Sequence, residues 1–94
     1  MFEADQVVYL NGSFVPLAEA TVSVLDRGFI YGDGVYELVP VYAHEPFRLP
    51  HHLARLKRSL DGIGLANPYP NAQWEALIRD IVARHPFADQ AVYL

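Results

Sequence analysis

The chain has 94 residues, 52% of them hydrophobic and 19% charged, with a net charge of −4 and no cysteine. That length sets a ceiling of one small domain, which buries only about 60–65% of the surface its unfolded chain exposes, and the apolar share is large enough that some of it should face another surface. The acidic balance, with basic side chains spread over Arg27, Arg48, Arg55, Lys57, Arg58, Arg79 and Arg84, argues against a nucleic-acid partner, and the missing cysteine excludes a disulfide framework, a zinc-thiolate site and a thiol nucleophile.

Residues 7–10 and 13–15 flank Asn11-Gly12, the dipeptide best suited to a two-residue turn with positive φ at both positions, and predict a β-hairpin. Residues 18–20 read as a connection and residues 21–25 as a short β-branched strand. Gly28, Gly32 and Gly34 then form a backbone-driven loop at the approach to the next strand. Across residues 35–42, Val35, Glu37, Val39 and Val41 fall on one face and Tyr36, Leu38, Pro40 and Tyr42 on the other. Both faces are mostly apolar, so cover on both sides is expected, and Pro40 predicts a bulge or an amide position that faces outward. Residues 43–45 should turn the chain into a second strand at residues 46–49.

Pro50 suits the first turn of a helix whose Leu53, Leu56, Leu60 and Ile63 share one face, with Gly62 and Gly64 ending it. Asn67-Pro68-Tyr69-Pro70 is a stiff connector, and Asn71 is a good N-cap for a second helix carrying Trp74, Leu77, Ile78, Ile81 and Val82. Pro86 stops that helix. Residues 91–94 begin what reads as a buried strand, and the lack of a turn residue or polar tail after them reads as truncation. There is no internal repeat. No apolar run approaches the length of a membrane span, and the N-terminus opens with Glu3 and Asp5 rather than a basic region and a hydrophobic stretch, so a soluble cytoplasmic protein is the default expectation. The expected fold is an α/β unit of the α+β kind, an antiparallel sheet with two helices.

The glycine loop does not match G-x-G-x-x-G, because Glu37 stands where the third glycine belongs, and a Walker sequence is absent. On residue pattern alone it is a tight turn into a strand that needs positive φ. Tyr36, just past it, is either an ordinary half-buried tyrosine or a phenol able to hydrogen-bond a ligand. Glu37, in so apolar a strand, must find a donor or take up a proton, with Arg27 or an equivalent cation as its mate. His52 and Arg55 are three apart and so share one side of the first helix. The stem of Arg55 runs beside Leu53 and Leu56; its guanidinium either emerges into a cleft and holds phosphate bidentately or stays a solvated arginine. The pair His51-His52 is too sparse for a metal site.

Taken together, Asp26-Arg27-Gly28, then Tyr31-Gly32-Asp33-Gly34-Val35-Tyr36-Glu37, then His52-Leu53-Ala54-Arg55-Leu56, resemble the N-terminal part of fold type IV pyridoxal-phosphate enzymes, a group that includes D-amino acid aminotransferases, branched-chain aminotransferases and aminodeoxychorismate lyases. The Gly-Val-Tyr-Glu form followed by Leu38 is most similar to the D-amino acid aminotransferases. By this resemblance Arg55 would bind the phosphate of pyridoxal 5'-phosphate, Tyr36 would line the substrate-carboxylate side, Leu38 would shape the side-chain pocket, and Glu37 and His52 would support them from behind. The resemblance further implies an amino acid and a 2-oxo acid as substrates, a homodimer, and a second domain that carries the catalytic lysine.

Lys57, the one lysine of the sequence, lies about 200° around the helix from Arg55 at roughly 100° per residue, so no catalytic residue is assigned within this chain. By the same resemblance residues 1–94 are expected to be the small N-terminal domain, incomplete at its C-terminal end, lacking the lysine-bearing domain and inactive alone. Two alternatives stand beside this reading: a lyase or branched-chain aminotransferase of the same fold, and a non-catalytic binding or dimerisation module.

Overall fold

In the computed structural model, which describes residues 6–94, Asn11 and Gly12 take φ of 50° and 93°, the left-handed pair that a twisted two-residue turn requires. They fold β1 (Val7–Leu10) onto β2 (Ser13–Pro16) as an antiparallel hairpin, with Tyr9 opposite Phe14. A single 3-10 turn, Leu17–Glu19, follows. Residues 21–25 form no strand: the Leu25 amide donates to Ser23 Oγ at 3.0 Å and the Asp26 amide to Ser23 O at 3.0 Å, so a serine-centred turn wins over β-branched propensity.

The glycine loop is also more helical than its spacing predicts. It contains one turn of helix, α1 (Arg27–Tyr31), in which the Asp26 carboxylate accepts from the Gly28 amide at 2.9 Å. A Cβ at Gly28 would stand 2.9 Å from Asp26 Oδ2, so a side chain there would have to displace the capping carboxylate. Of the three glycines only Gly32 has positive φ, 71°, and it ends the turn. Gly34 meets neither demand.

Strand β3 (Leu38–Tyr42) is the centre of a three-stranded antiparallel sheet, with β4 (Glu45–Pro46) on one side and β5 (Gln90–Tyr93) on the other. Its register with β5 runs unbroken through Pro40, opposite Ala91. Pro40 therefore causes no bulge; on its β4 side the Phe47 amide donates to Pro40 O at 2.7 Å. The tight turn at Ala43 and His44 uses φ of 50° and 64°. β4 is shorter than residues 46–49, because Arg48 takes φ 55° and turns the chain directly into helix α2 (Leu49–Gly62), whose first residue is already buried.

Helix α2 buries Leu49, Leu53, Leu56 and Leu60, the stripe its spacing predicts, but Ile63 lies past the helix end and is half exposed. Helix α3 (Asn71–Ala83) starts one residue earlier than an Asn71 cap would have it: Pro70 is the cap residue and its carbonyl accepts from the Gln73 and Trp74 amides. One core joins Val39, Leu49, Leu53, Leu56, Leu60 and Ile78, with Val35, Trp74, Val92 and Leu94 against it. The hairpin docks on α3 through His85, whose Nε2 accepts from the Val7 amide at 3.1 Å while Nδ1 meets Ile81 O at 2.8 Å. The Arg84 guanidinium stacks 3.9 Å over the Phe14 ring.

Cover on both sides of the sheet, expected from the apolar alternation, is not found: Val39 and Val41 are fully buried whereas Tyr36, Leu38 and Tyr42 are exposed. β5 alternates in the same way and is half-buried rather than buried. The arrangement is a mixed α/β domain with antiparallel sheets, as the sequence predicts. Replacing Ile78, 1% exposed at the centre of the core, by alanine should lower the unfolding free energy in urea by about 2–5 kcal/mol. A loss below about 0.5 kcal/mol, the range of a surface substitution, would show that this core is not the one that holds the fold.

Candidate functional site

The inner-face alternation of the strand puts Glu37 beside α2 just before β3. Its amide donates to Leu94 O at 3.0 Å and its carbonyl accepts from the Leu94 amide at 2.8 Å, so the backbone is pinned at the end of the β3–β5 ladder. The side chain is 3% exposed, and a carboxylate so placed is costly unless donors reach it. α2 supplies them. His52 and Arg55, neighbours on one side of the helix, bring His52 Nδ1 to 2.8 Å from Oε1 and Arg55 Nε to 2.9 Å from Oε2, with Arg55 Nη2 also on Oε1. A carboxylate only accepts, so His52 Nδ1 carries the hydrogen.

The Arg55 guanidinium, helped by His52 and opposed by burial, holds the Glu37 carboxyl well below its ordinary 4.5, at about 2. The same contact raises Arg55 above its ordinary value. The expected mate Arg27 is instead bound to Asp33 at 2.7 Å. Arg55 is thus the equivalent cation that the sequence left open: Asp33 lies across the single turn of α1 from Arg27, within local reach, whereas Glu37 faces the other way, into α2.

Glu37 engages Nε and one side of Nη2, leaving three of the five guanidinium N–H groups, including the end-on Nη1/Nη2 fork, without a carboxylate. The Arg55 side chain is 60% exposed and lines an open, shallow cleft of about 400 Å³ whose described lining, Arg48, His51, His52, Ala54 and Arg58, comes entirely from α2 and the residue before it. A fixed, unspent guanidinium edge in a basic cleft has the donor chemistry a phosphate needs. The head of Arg55 thus reaches solvent while Glu37 fixes its orientation.

Tyr36 and Leu38 stand elsewhere. They lie on the opposite, outer face of the strand, where the Tyr36 ring stacks on Tyr93 with centroids 5.8 Å apart, and neither lines the cleft. Tyr36 and Arg55 therefore lie on opposite faces of the strand and do not share a cavity. Lys57 pairs with Asp61 at 2.9 Å, one helical turn on. Sequence reasoning missed Arg48, His51 and Arg58. The available signal was the spacing of His51 and Arg58, four before and three after Arg55, which places basic side chains along one stripe of α2; Arg48, just before the helix, carries no such signal.

Residues 34–94 match the model of the amino-transferase class IV family. Among curated relatives, D-alanine aminotransferases of Staphylococcus aureus (strain N315) and Listeria monocytogenes are each 38% identical over 87 residues, 93% of this chain and 31% and 30% of theirs. The chain thus spans about a third of the length of the relatives it matches. Among solved structures, a branched-chain aminotransferase from Thermoproteus uzoniensis with norvaline superposes with a TM-score of 0.80 at 34% identity, covering 94% of this chain and 31% of that one. The T.th. branched-chain enzyme solved with pyridoxamine 5'-phosphate reaches 0.87 at 30% identity over 99% of this chain and 32% of that one.

The clamp on Glu37 makes stability depend on pH in a defined direction. Its folded pKa, about 2, lies below the unfolded 4.5, so its contribution is fully present above pH 4.5 and is lost as pH falls through 2. Chemical denaturation of the native chain and of Glu37→Gln across this range should show a stability gap that is widest above pH 4.5 and closes toward pH 2. A gap that does not change with pH would contradict the ionised clamp.

Proposed function

The chain belongs to the amino-transferase class IV family, and from that premise we propose that the complete protein is a pyridoxal 5'-phosphate-dependent aminotransferase interconverting a D-amino acid and a 2-oxo acid, with these 94 residues as its N-terminal small domain. The observation that carries the reading is the Arg55 guanidinium, one edge held by buried Glu37 and the other open to the cleft. The D-alanine aminotransferases among the relatives support the substrate class. The neighbour solved with pyridoxamine 5'-phosphate supports the cofactor class.

When bound, the cofactor supplies an electron sink for the α-carbon of the amino acid. The work of this chain is positional. Arg55 donates to the phosphate through its end-on fork, and Glu37 with His52 fixes the plane of that fork before any ligand arrives, so less orientational freedom is lost on binding. Tyr36 offers its hydroxyl to the substrate carboxylate, and Leu38, two residues on and on the same face, limits the space for the substrate side chain. Lys57, engaged with Asp61, does not serve as the proton-shuttling base. That lysine belongs to the remaining two thirds of the protein in this reading, together with the homodimer contacts that cover exposed Val24, Leu25 and Phe29.

A branched-chain aminotransferase of the same architecture is the second reading, favoured by the structural superpositions. Assay of the complete protein with D-alanine and with L-leucine separates the two: turnover of D-alanine supports the first, and turnover of L-leucine alone supports the second. Arg55→Lys, which keeps a cation for Glu37 but cannot also present a planar fork, should weaken pyridoxal 5'-phosphate binding on the order of 10- to 100-fold, the scale of a lost charge-assisted contact. Unchanged cofactor affinity would remove the phosphate role. Tyr36→Phe should lower turnover while leaving the unfolding midpoint in place; full activity would remove Tyr36 from the carboxylate side.

A further inference from the structure

In this acidic chain most cations are already neutralised. Arg27 pairs with Asp33, Arg55 with Glu37, Lys57 with Asp61, Arg79 with Glu45 and Glu75, and Arg84 with Asp80. Among the described residues Arg48 and Arg58 have no such partner, and both line the cleft of Arg55. Among the described residues, the basic side chains without a carboxylate partner are therefore gathered in one place.

That gathering is unfavourable without an anion. Arg48, His51 and His52 crowd the start of α2, where no acidic side chain stands in the first turn and where the helix dipole disfavours cations. Arg55 and Arg58, three residues apart, repel as like charges. Arg48 holds left-handed φ and ψ of 55° and 38°, a conformation uncommon for a non-glycine residue and one that persists only where its surroundings enforce it. Because Glu37 offsets Arg55, the charge left over is that of Arg48 and Arg58, the complement of a phosphate monoester, which carries about −1.5 to −2 near neutral pH.

We infer that Arg48 and Arg58 complete, with Arg55, a three-arginine cradle for a dianionic phosphate. This rests on the reading of Arg55 as a phosphate ligand and goes beyond it, by assigning two further binding residues and the charge state of the ligand. The phosphate is that of pyridoxal 5'-phosphate or free inorganic phosphate, two sources with one recognition chemistry.

Titration calorimetry on the complete protein, freed of cofactor, distinguishes them with three probes: pyridoxal 5'-phosphate, pyridoxal and inorganic phosphate. The variants are Arg48→Asn, which tolerates positive φ, Arg58→Gln, their combination, Arg55→Lys, and Arg79→Gln as a control that does not line the cleft. The combined Arg48→Asn, Arg58→Gln variant should weaken both phosphate-bearing probes by about tenfold or more, flatten their salt dependence and leave pyridoxal unchanged. Arg79→Gln should move none of them. Weakening confined to inorganic phosphate supports the cradle and makes free phosphate its ligand. Native affinity for both phosphate probes in the combined variant overturns the cradle; if Arg55→Lys still loses them, the Arg55 reading survives, and if it does not, both fall together.

Discussion

A carboxylate buried between a strand and a helix has to be answered by donors, and that demand organises this domain. Glu37 is tied by its backbone to Leu94 and by its side chain to His52 and Arg55. One residue thereby couples the β3–β5 ladder to α2 and sets the orientation of the guanidinium that faces the cleft. Removing Arg55 leaves that carboxylate buried and uncompensated, at a cost far above the net worth of the pair, whereas removing Glu37 leaves an arginine that already reaches solvent. Glu37 therefore holds the fold together and orients Arg55 at the same time, while the outer edge of Arg55 takes no part in the fold.

The two faces of β3 then divide the labour. On the inner face Val39 meets the leucine stripe of α2 and closes the core, with Val41 buried on the same face, while the outer face leaves Tyr36, Leu38, Tyr42 and, from β5, Tyr93 exposed. A domain this small cannot cover both, and the chain spans about a third of its curated relatives' length. In the proposed enzyme the exposed outer face belongs to the substrate side and to packing against the rest of the protein, and the basic cleft beside α2 belongs to the phosphate.

Much of this was legible in the residues because it rests on short-range periodicity. The Asn11-Gly12 turn, the leucines of α2 and the apolar stripe of α3 each state their geometry within a few positions. What the sequence concealed depended on competition or on long-range approach. Thr21 and Val22 have strand propensity, but Ser23 offers the backbone local bonds that defeat it. Arg27 was as plausible a mate for Glu37 as Arg55, and only the fold shows that Asp33 claims it. Arg48 and Arg58 read as scattered surface charge until the other cations are seen to be paired and these two are seen to share a cleft.

The central claim is that Arg55 divides its guanidinium between a buried carboxylate and a phosphate. A crystal structure of the complete protein bound to pyridoxamine 5'-phosphate measures this most directly. The account predicts that Nε remains on Glu37 while the Nη1/Nη2 fork lies within hydrogen-bond distance of the phosphate oxygens. A phosphate bound away from α2, with Arg55 contacting Glu37 alone, would contradict it.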